Sequence, residues 1–399
     1  MRKIYLDNAA TTPVDKRVLK EMHRYWAVDF GNPSSIHSVG VTAKAALQKA
    51  RKTIADFLHA HDREIIFTSG GTEANNIAIF GLEKQNNFVP HFITTEVEHS
   101  SILESFKELE KMGYLVNYLP VDENGLVNPK DLREIIRPET VLISIGYANS
   151  EIGTIEPVKE IIKEIRHKRK EFAEMKKGNQ YFHLDASQAA QYLNMNVEEL
   201  GVDLMTLDAQ KIYGPKGIGA LYIRDGVIIN PTLFGGGQEK GLRSGTENIP
   251  LIVGLAKAVE LVEKMREKEI VRLTKIRDVF FDGVKKYIPQ AIINGDTKNR
   301  LPNNINISIP EEDGEMMVLR LDEAEMICSS ASACASGSGE SYVVRKIAEK
   351  SGMLEKEIDP AQVNLRAKST LRFSLGRETK IADIKKLLKI IQKIVVKNK

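Results

Sequence analysis

The 399-residue sequence predicts an α/β protein with a mainly parallel sheet of about seven strands and a second, smaller α+β domain. Three observations carry this expectation. Apolar runs of about four to eight residues alternate with amphipathic stretches of about ten or more, the pattern of strands that cross over through helices. After Gly245 that alternation gives way to one long helical stretch, residues 249–287, followed by further strands and helices. The length exceeds one minimal core and favours two or three domains at about 150 residues each.

Residues 64–68 read as a strand, Ser69-Gly70-Gly71 as a tight turn and residues 72–84 as a helix. Residues 91–95 form the next strand, and a helix over 100–112 stops at Gly113. The runs 141–147 and 181–184 are strands separated by a helix over 157–169, and 203–207 with 220–223 complete the large sheet. Beyond the long helix, strands are expected at 304–309 and 324–328. The last helix, 381–397, puts Leu387, Leu388, Ile391, Ile394 and Val395 on one stripe with lysines opposite, which suits packing rather than membrane anchoring. The domain division is expected at 16–255 for the large domain, with 1–15 and 256–399 forming the small one.

Composition narrows the function. Lys plus Arg is 57 and Asp plus Glu is 54, a net +3 that is too balanced for capture of nucleic acid. The Lys-rich stretch 167–177 reads as a solvated helix end. No apolar run approaches the roughly 18 residues of a membrane span, and the amino terminus lacks a signal-peptide core. The two cysteines, Cys328 and Cys334, are too few for a disulfide framework. A cytoplasmic protein without membrane or nucleic-acid partners is expected.

Four segments can carry chemistry. Lys211 lies in Asp208-Ala209-Gln210-Lys211-Ile212-Tyr213-Gly214-Pro215-Lys216-Gly217, just after an apolar run. Held partly out of water, its amine would lose basicity and become free to form a Schiff base; a surface lysine in a turn is the plain alternative. Asp185, in His183-Leu184-Asp185-Ala186-Ser187-Gln188, ends another apolar run. A carboxylate there can pair with a protonated pyridine nitrogen, as pyridoxal phosphate (PLP) chemistry requires, or cap a helix. Ser69-Gly70-Gly71-Thr72-Glu73 brings free backbone N–H groups and a hydroxyl to a helix start, an anion site suited to one phosphate. It is neither a Walker loop nor a G-x-G-x-x-G fingerprint. In Glu98-His99-Ser100-Ser101, an imidazole immediately precedes a helix and can face a site, cap the helix or pack in the core.

These four segments in this order resemble the PLP-dependent cysteine desulfurases, and so do Leu6-Asp7-Asn8-Ala9-Ala10-Thr11-Thr12-Pro13, Asn149-Ser150-Glu151-Ile152-Gly153, Arg243-Ser244-Gly245-Thr246 and Arg372-Phe373-Ser374-Leu375-Gly376-Arg377. The resemblance covers nearly the whole chain and is strongest to the branch serving iron–sulfur cluster assembly. It implies the fold-type I PLP-dependent transferase fold of the class V aminotransferase family. It also implies conversion of L-cysteine to L-alanine, with sulfur passed to an iron–sulfur scaffold or sulfur-carrier protein. Lys211 then binds PLP covalently, Asp185 pairs with the pyridine nitrogen and Gln188 with the ring oxygen. His99 stacks on the ring and shuttles protons. Gly71 and Thr72 hold the phosphate near Asp208 and Gln210, and Thr246 reaches it from the second subunit of a homodimer. Arg372 clamps the substrate carboxylate, with Asn149 beside it.

By the same resemblance Cys334 takes the sulfur as a persulfide. It sits in Ser329-Ser330-Ala331-Ser332-Ala333-Cys334-Ala335-Ser336-Gly337-Ser338-Gly339, where no side chain is larger than Cys, so the segment can bury little area and the thiol can swing to an acceptor. Cys328, after Met326-Ile327, reads as a core residue. Two thiolates fill half a tetrahedral shell, and no metal site is expected.

The chain departs from the family pattern at Asp208, where serine is usual, and Gln210, where histidine is usual. The segment after Cys334 is also one residue shorter than the commonest form. A carboxylate about 4 Å from a phosphate charge costs on the order of 4 kcal/mol at an effective dielectric of about 20. Asp208 must therefore turn away, take a proton or bond through water, while Gln210 donates without adding charge. The alternatives are a selenocysteine lyase or aminotransferase of the same fold, and a cofactor-poor assembly scaffold. Cys334 argues against a plain aminotransferase; Asp208 with Gln210 favours the scaffold.

Overall fold

The computed structural model describes residues 3–82, 88–175, 178–330, 339–351 and 359–397. The chain opens with β1 (Ile4–Tyr5), α1 (Lys16–Ala27) and α2 (Ser38–Leu58). Strands and helices then alternate: β2 (Ile65–Thr68), α3 (Gly71–Phe80), β3 (His91–Thr95), α4 (Ser100–Lys111), β4 (Leu115–Leu119), α5 (Pro129–Ile135) and β5 (Thr140–Gly146). They continue with α6 (Val158–Phe172), β6 (Tyr181–Asp185), α7 (Val197–Leu200), β7 (Leu204–Asp208) and β8 (Gly219–Ile223). Strands β2 to β8 form one sheet in the order β2-β8-β7-β6-β5-β3-β4, parallel except for β8, which runs antiparallel to both neighbours.

Burial explains which strands the sequence reveals. Every residue of β2, β3, β7 and β8 is buried, so these strands read as unbroken apolar or small-polar runs, as expected of a sheet covered on both faces. The edge strand β4 is mostly half-exposed and carries Asn117, and it has no clear apolar signature. It is the strand of the large sheet absent from the sequence expectation, as the strands Ile292–Ile293 and Thr370–Ser374 are in the smaller one. The strands β2 to β7 all point one way, so their carboxyl ends, including Thr68, Thr95, Gly146, Asp185 and Asp208, meet at one edge.

The remaining elements are α8 (Ile249–Tyr287), β9 (Ile292–Ile293), β10 (Asn304–Ser308), α9 (Gly314–Glu323), β11 (Met326–Ile327), α10 (Tyr342–Lys350), α11 (Pro360–Lys368), β12 (Thr370–Ser374) and α12 (Ile381–Lys397). The expected strand at 324–328 shrinks to the two residues of β11, which pair in parallel with β1. An antiparallel sheet, β12-β10-β9, completes this part, and Asp7 bridges to Ser374, so the amino-terminal segment is bound to it. The long helix α8 starts with Pro250 in its first turn and an Asn248 cap whose Oδ1 accepts from Leu251 N–H at 3.2 Å. Its residues from Ile249 to Val262 lie in the core of the large sheet, and those from Leu273 to Val284 lie in a second core with β10, β12 and α12. The helix is continuous across that exchange. Among the described residues, no helix is long and apolar enough to cross a membrane.

Close backbone approach fixes the first turn of the site. A Cβ on Gly219 would lie 2.6 Å from the carbonyl oxygen of Leu207 and 2.8 Å from the backbone of Gly70. Neither can yield without moving a strand or the Gly70 turn. Gly219→Ala is expected to cost about 1 to 3 kcal/mol, read as a lower denaturant midpoint at unchanged slope. An unaltered midpoint would mean that the Gly70 turn is not held by this contact.

Candidate active site

A cleft opens at the carboxyl edge of the sheet. Gly71, Thr72, His99, Asn149, Asp185, Gln188, Asp208, Gln210, Lys211 and Arg372 all border it. Of the expected site residues, Thr246 is elsewhere and Cys334 lies outside the described residues. Thr246 is exposed and lines a separate recess with Ser69, Gly217 and Arg243.

Lys211 ends the short 3-10 turn Ala209–Lys211 that follows β7. Asp208 caps this turn: its Oδ1 accepts from Gln210 N–H at 3.2 Å and its Oδ2 from Gln210 Nε2 at 3.1 Å. The Lys211 amine donates to the carbonyl oxygens of Ala9 at 2.8 Å and Ala10 at 2.7 Å, and it is half-buried rather than a surface turn lysine. The loop holding those carbonyls is stitched in place, since Thr12 Oγ1 donates to Gln210 O at 2.8 Å and accepts from Tyr213 N–H at 2.8 Å. Tyr213 itself takes φ 63°, a sparsely populated conformation for a bulky residue, with the Arg377 guanidinium stacked 3.9 Å above its ring. Gln188 Nε2 also donates to Ala9 O, at 3.0 Å.

Asp185 ends β6 and borders the cleft. Its Oδ1 accepts from Ser187 N–H at 2.9 Å, as a turn cap does, and its Oδ2 accepts from Asn75 Nδ2 at 2.9 Å within the cleft. Two residues back, His183 is buried between Ser144 Oγ (2.8 Å) and Thr206 Oγ1 (3.0 Å), and burial pushes its imidazole down to about 4.

The start of α3 forms a cradle. Gly70 has φ 152° and ψ −176°, backbone angles reserved for glycine. A Cβ on Gly71 would lie 3.1 Å from Ser187 Oγ and 3.4 Å from Asp208 Oδ2, so a hydroxyl and a carboxylate both face this helix start. Asp208 has therefore not turned away from it. Glu73 braces the turn by accepting from Ser69 N–H at 2.5 Å and Arg243 Nε at 2.9 Å.

Arg372 is buried on β12. It donates from Nη2 to Asp7 Oδ1 at 3.0 Å and from Nη1 to Ser150 O at 3.4 Å, while its buried Nε has no partner among the described residues. Asn149 is engaged by the backbone: Nδ2 donates to Val97 O at 2.9 Å, and Oδ1 accepts from Glu151 N–H at 2.9 Å and Ile152 N–H at 3.1 Å. Cys328 sits in the second core, where burial pushes its thiol up to about 12.

The cleft also contains residues that sequence reasoning missed: Asn75, Glu98, Ser101 and Ser187. Asn75 stands one helical turn after Gly71 and Thr72, so the period of α3 carried a signal for it. Glu98 is buried. Burial raises its carboxyl to about 7, with Asp185 adding to the rise and the Gly146 N–H (3.0 Å) and Thr95 Oγ1 (2.8 Å) opposing it. A carboxyl raised in the folded state contributes stability that is complete below its unfolded value and is lost as pH rises through the folded one. Between about pH 5 and about pH 8 this group should remove on the order of 3 kcal/mol from the cofactor-free protein. Glu98→Gln should flatten that fall in urea unfolding. Equal pH slopes for the two proteins would return Glu98 to the ordinary carboxylate range.

Known proteins with this arrangement are numerous. The family model for aminotransferase class V matches residues 4–387. The cysteine desulfurase IscS of Dictyoglomus turgidum is 44% identical over 397 residues, spanning 99% of this chain and 95% of the relative. The human cysteine desulfurase is 40% identical over 384 residues, 95% of this chain and 79% of the relative. Among solved structures, a NifS-like protein superposes with a TM-score of 0.88 at 32% identity, covering 99% of this chain and all of its own. SspA, solved in complex with cysteine, gives 0.78 at 34% identity over 94% of this chain and 99% of its own. With a match across almost its whole length and the cleft at the expected sheet edge, the chain belongs to the class-V aminotransferase family.

Proposed function

We propose that this protein is a PLP-dependent cysteine desulfurase that converts L-cysteine to L-alanine and delivers the sulfur for iron–sulfur cluster assembly. The observation that carries the reading is the convergence, in one cleft, of the Lys211 amine, the Asp185 carboxylate, the α3 cradle and Arg372. The donor set fits the cofactor: an amine for its aldehyde, an acid for its ring nitrogen and a glycine cradle with the Ser187 hydroxyl for its phosphate. When bound, PLP supplies an electron sink that weakens the bonds around the substrate's α carbon.

The chain's own groups do the rest. Lys211 waits on two carbonyls that orient its nitrogen, and Gln188 shares one of them. Asp185 stays an acceptor, with both oxygens already oriented by N–H donors. Arg372 borders the cleft and binds the substrate carboxylate, with Nε the donor that has no partner among the described residues. The Cys334 thiolate takes the sulfur of cysteine: a new S–S bond forms, the substrate C–S bond breaks, and a proton replaces sulfur on carbon to give alanine. The persulfide then passes to a scaffold or sulfur-carrier protein in the cytoplasm.

Two further features support a homodimer that completes the site. Thr246 is exposed and away from its own cleft, free to serve a neighbour's. Trp26, Phe30, Ile36 and Phe234 are 59%, 68%, 98% and 80% exposed, large apolar surface that a second copy would cover. A division into two domains remains our proposal, supported by the two apolar cores that share α8; the first core runs on to Val262, past the boundary expected at residue 255, and the second begins at Leu273.

Lys211→Ala is expected to lose the visible absorbance of bound PLP and all sulfide release. Cys334→Ser should keep the absorbance and lose sulfide release, whereas Cys328→Ser should retain both. An inactive Cys328 variant with an active Cys334 variant would reverse the assignment. A second expectation follows from Asp208 facing α3: Asp208→Ser with Gln210→His should tighten PLP by about tenfold or more, measured by titration and dialysis. Equal or weaker binding would mean that a donor, Thr246 of a second copy first among them, already compensates the carboxylate.

A further inference from the structure

His99, Ser101, Asn75 and Asp185 form one hydrogen-bonded chain across three elements. Asn75 Nδ2 donates to Ser101 Oγ and to Asp185 Oδ2, each at 2.9 Å, and Ser101 Oγ lies 2.9 Å from His99 Nδ1. The Ser101 backbone N–H also donates to His99 Nδ1, at 3.2 Å, because His99 is the N-cap of α4.

The proton positions follow from donor and acceptor counting. An ionised carboxylate only accepts, so the Asn75 amide must turn its NH2 toward Asp185, and its second N–H falls on Ser101 Oγ. Ser101 then accepts there and has its single hydroxyl proton left for His99 Nδ1. That nitrogen also meets a backbone N–H, so it must offer its lone pair, and the imidazole proton resides on Nε2. The Asn75 Oδ1 atom, buried without a partner among the described residues, is the polar group left unpaired by this order.

We propose that Ser101 and Asn75 are positioning residues that hold His99 as its neutral Nε2–H tautomer and couple that state to Asp185. Protonating Nδ1 would break two hydrogen bonds at once. The charged groups around the ring do not act in one direction: burial and Lys211 oppose an imidazolium, whereas Asp185 and Asp208 favour it. The donors on Nδ1 tip that balance toward the neutral ring. Under the desulfurase reading, on which this inference rests, His99 meets cofactor and substrate as a flat neutral ring that presents its proton on Nε2, and the proton shuttling expected of it runs through that atom.

The test is nitrogen NMR of 15N-histidine-labelled protein, with and without PLP, with His99 assigned through His99→Gln. In the wild type His99 should show only the Nε2–H tautomer. In Ser101→Ala, which keeps the backbone N–H on Nδ1 but removes the hydroxyl donor, the Nε2–H tautomer should persist while protonation of His99, and with it the acidic limb of the pH–rate profile, moves up by about half to one pH unit, a factor of roughly three to ten. Ser101→Thr, which keeps the hydroxyl, should restore both readouts. An Nδ1–H tautomer in the wild type would overturn the proposal. So would a Ser101→Ala protein with unchanged His99 protonation and pH profile, whether or not it melts earlier. The tautomer readout needs no turnover, so failure of the desulfurase reading would show separately, as absence of sulfide release.

Discussion

The common direction of the large sheet's strands is the constraint on which the rest of the structure depends. Because β2 to β7 point the same way, every loop that leaves a carboxyl end emerges at one edge. Residues as distant in sequence as Gly71, His99, Asp185 and Lys211 are brought there without any direct attraction between them. A parallel sheet needs helical crossovers that cover both of its faces, so its strands are dry and rigid, and side chains at their ends are held by the backbone rather than by loops alone. The amino-terminal segment closes this edge from above: Ala9 and Ala10 meet Lys211, Asp7 meets Arg372, and Ile4 and Tyr5 pair with β11.

The cleft holds charge at close quarters, and burial determines which groups keep it. Glu98 and Glu156 both lie buried along it, and desolvation raises both carboxyls, with the repulsion between them adding to the rise for Glu156. Asp185 is provided with two donors and Arg372 with a carboxylate, so their charges are matched locally. Asp208 is the exception. It faces the start of a helix, where negative charge is favoured, but at a position that our functional reading gives to a phosphate. The same carboxylate caps the turn that aims Lys211, which gives a physical reason for its presence.

Much of the fold was legible because the buried strands and the helix stripes leave strong periodic signals. The helices at 100–112 and 381–397 match α4 and α12 within a residue or two, and the long helix matches α8. Edge strand β4 was missed because a half-exposed strand with Asn117 alternates weakly, and β11 was overextended because two paired residues are too few for a pattern. Within the cleft, glycine and lysine in a turn, a carboxylate ending a strand and a histidine before a helix could each be read in sequence. Asn75, Ser101 and Glu98 could not be weighed there, since their importance lies in partners from other segments.

The sequence by itself determined the element types, the α/β class and the residue types able to bind an anion, an amine-reactive group or a carboxylate, because these follow from local periodicity, turn chemistry and side-chain functional groups. Only the tertiary structure decided that Arg372 is buried against Asp7, that Asp208 faces α3 and that Lys211 rests on the carbonyls of Ala9 and Ala10. Hydrogen-bond direction, burial and charge balance depend on atoms from strands hundreds of residues apart, and no local pattern in the chain encodes those distances.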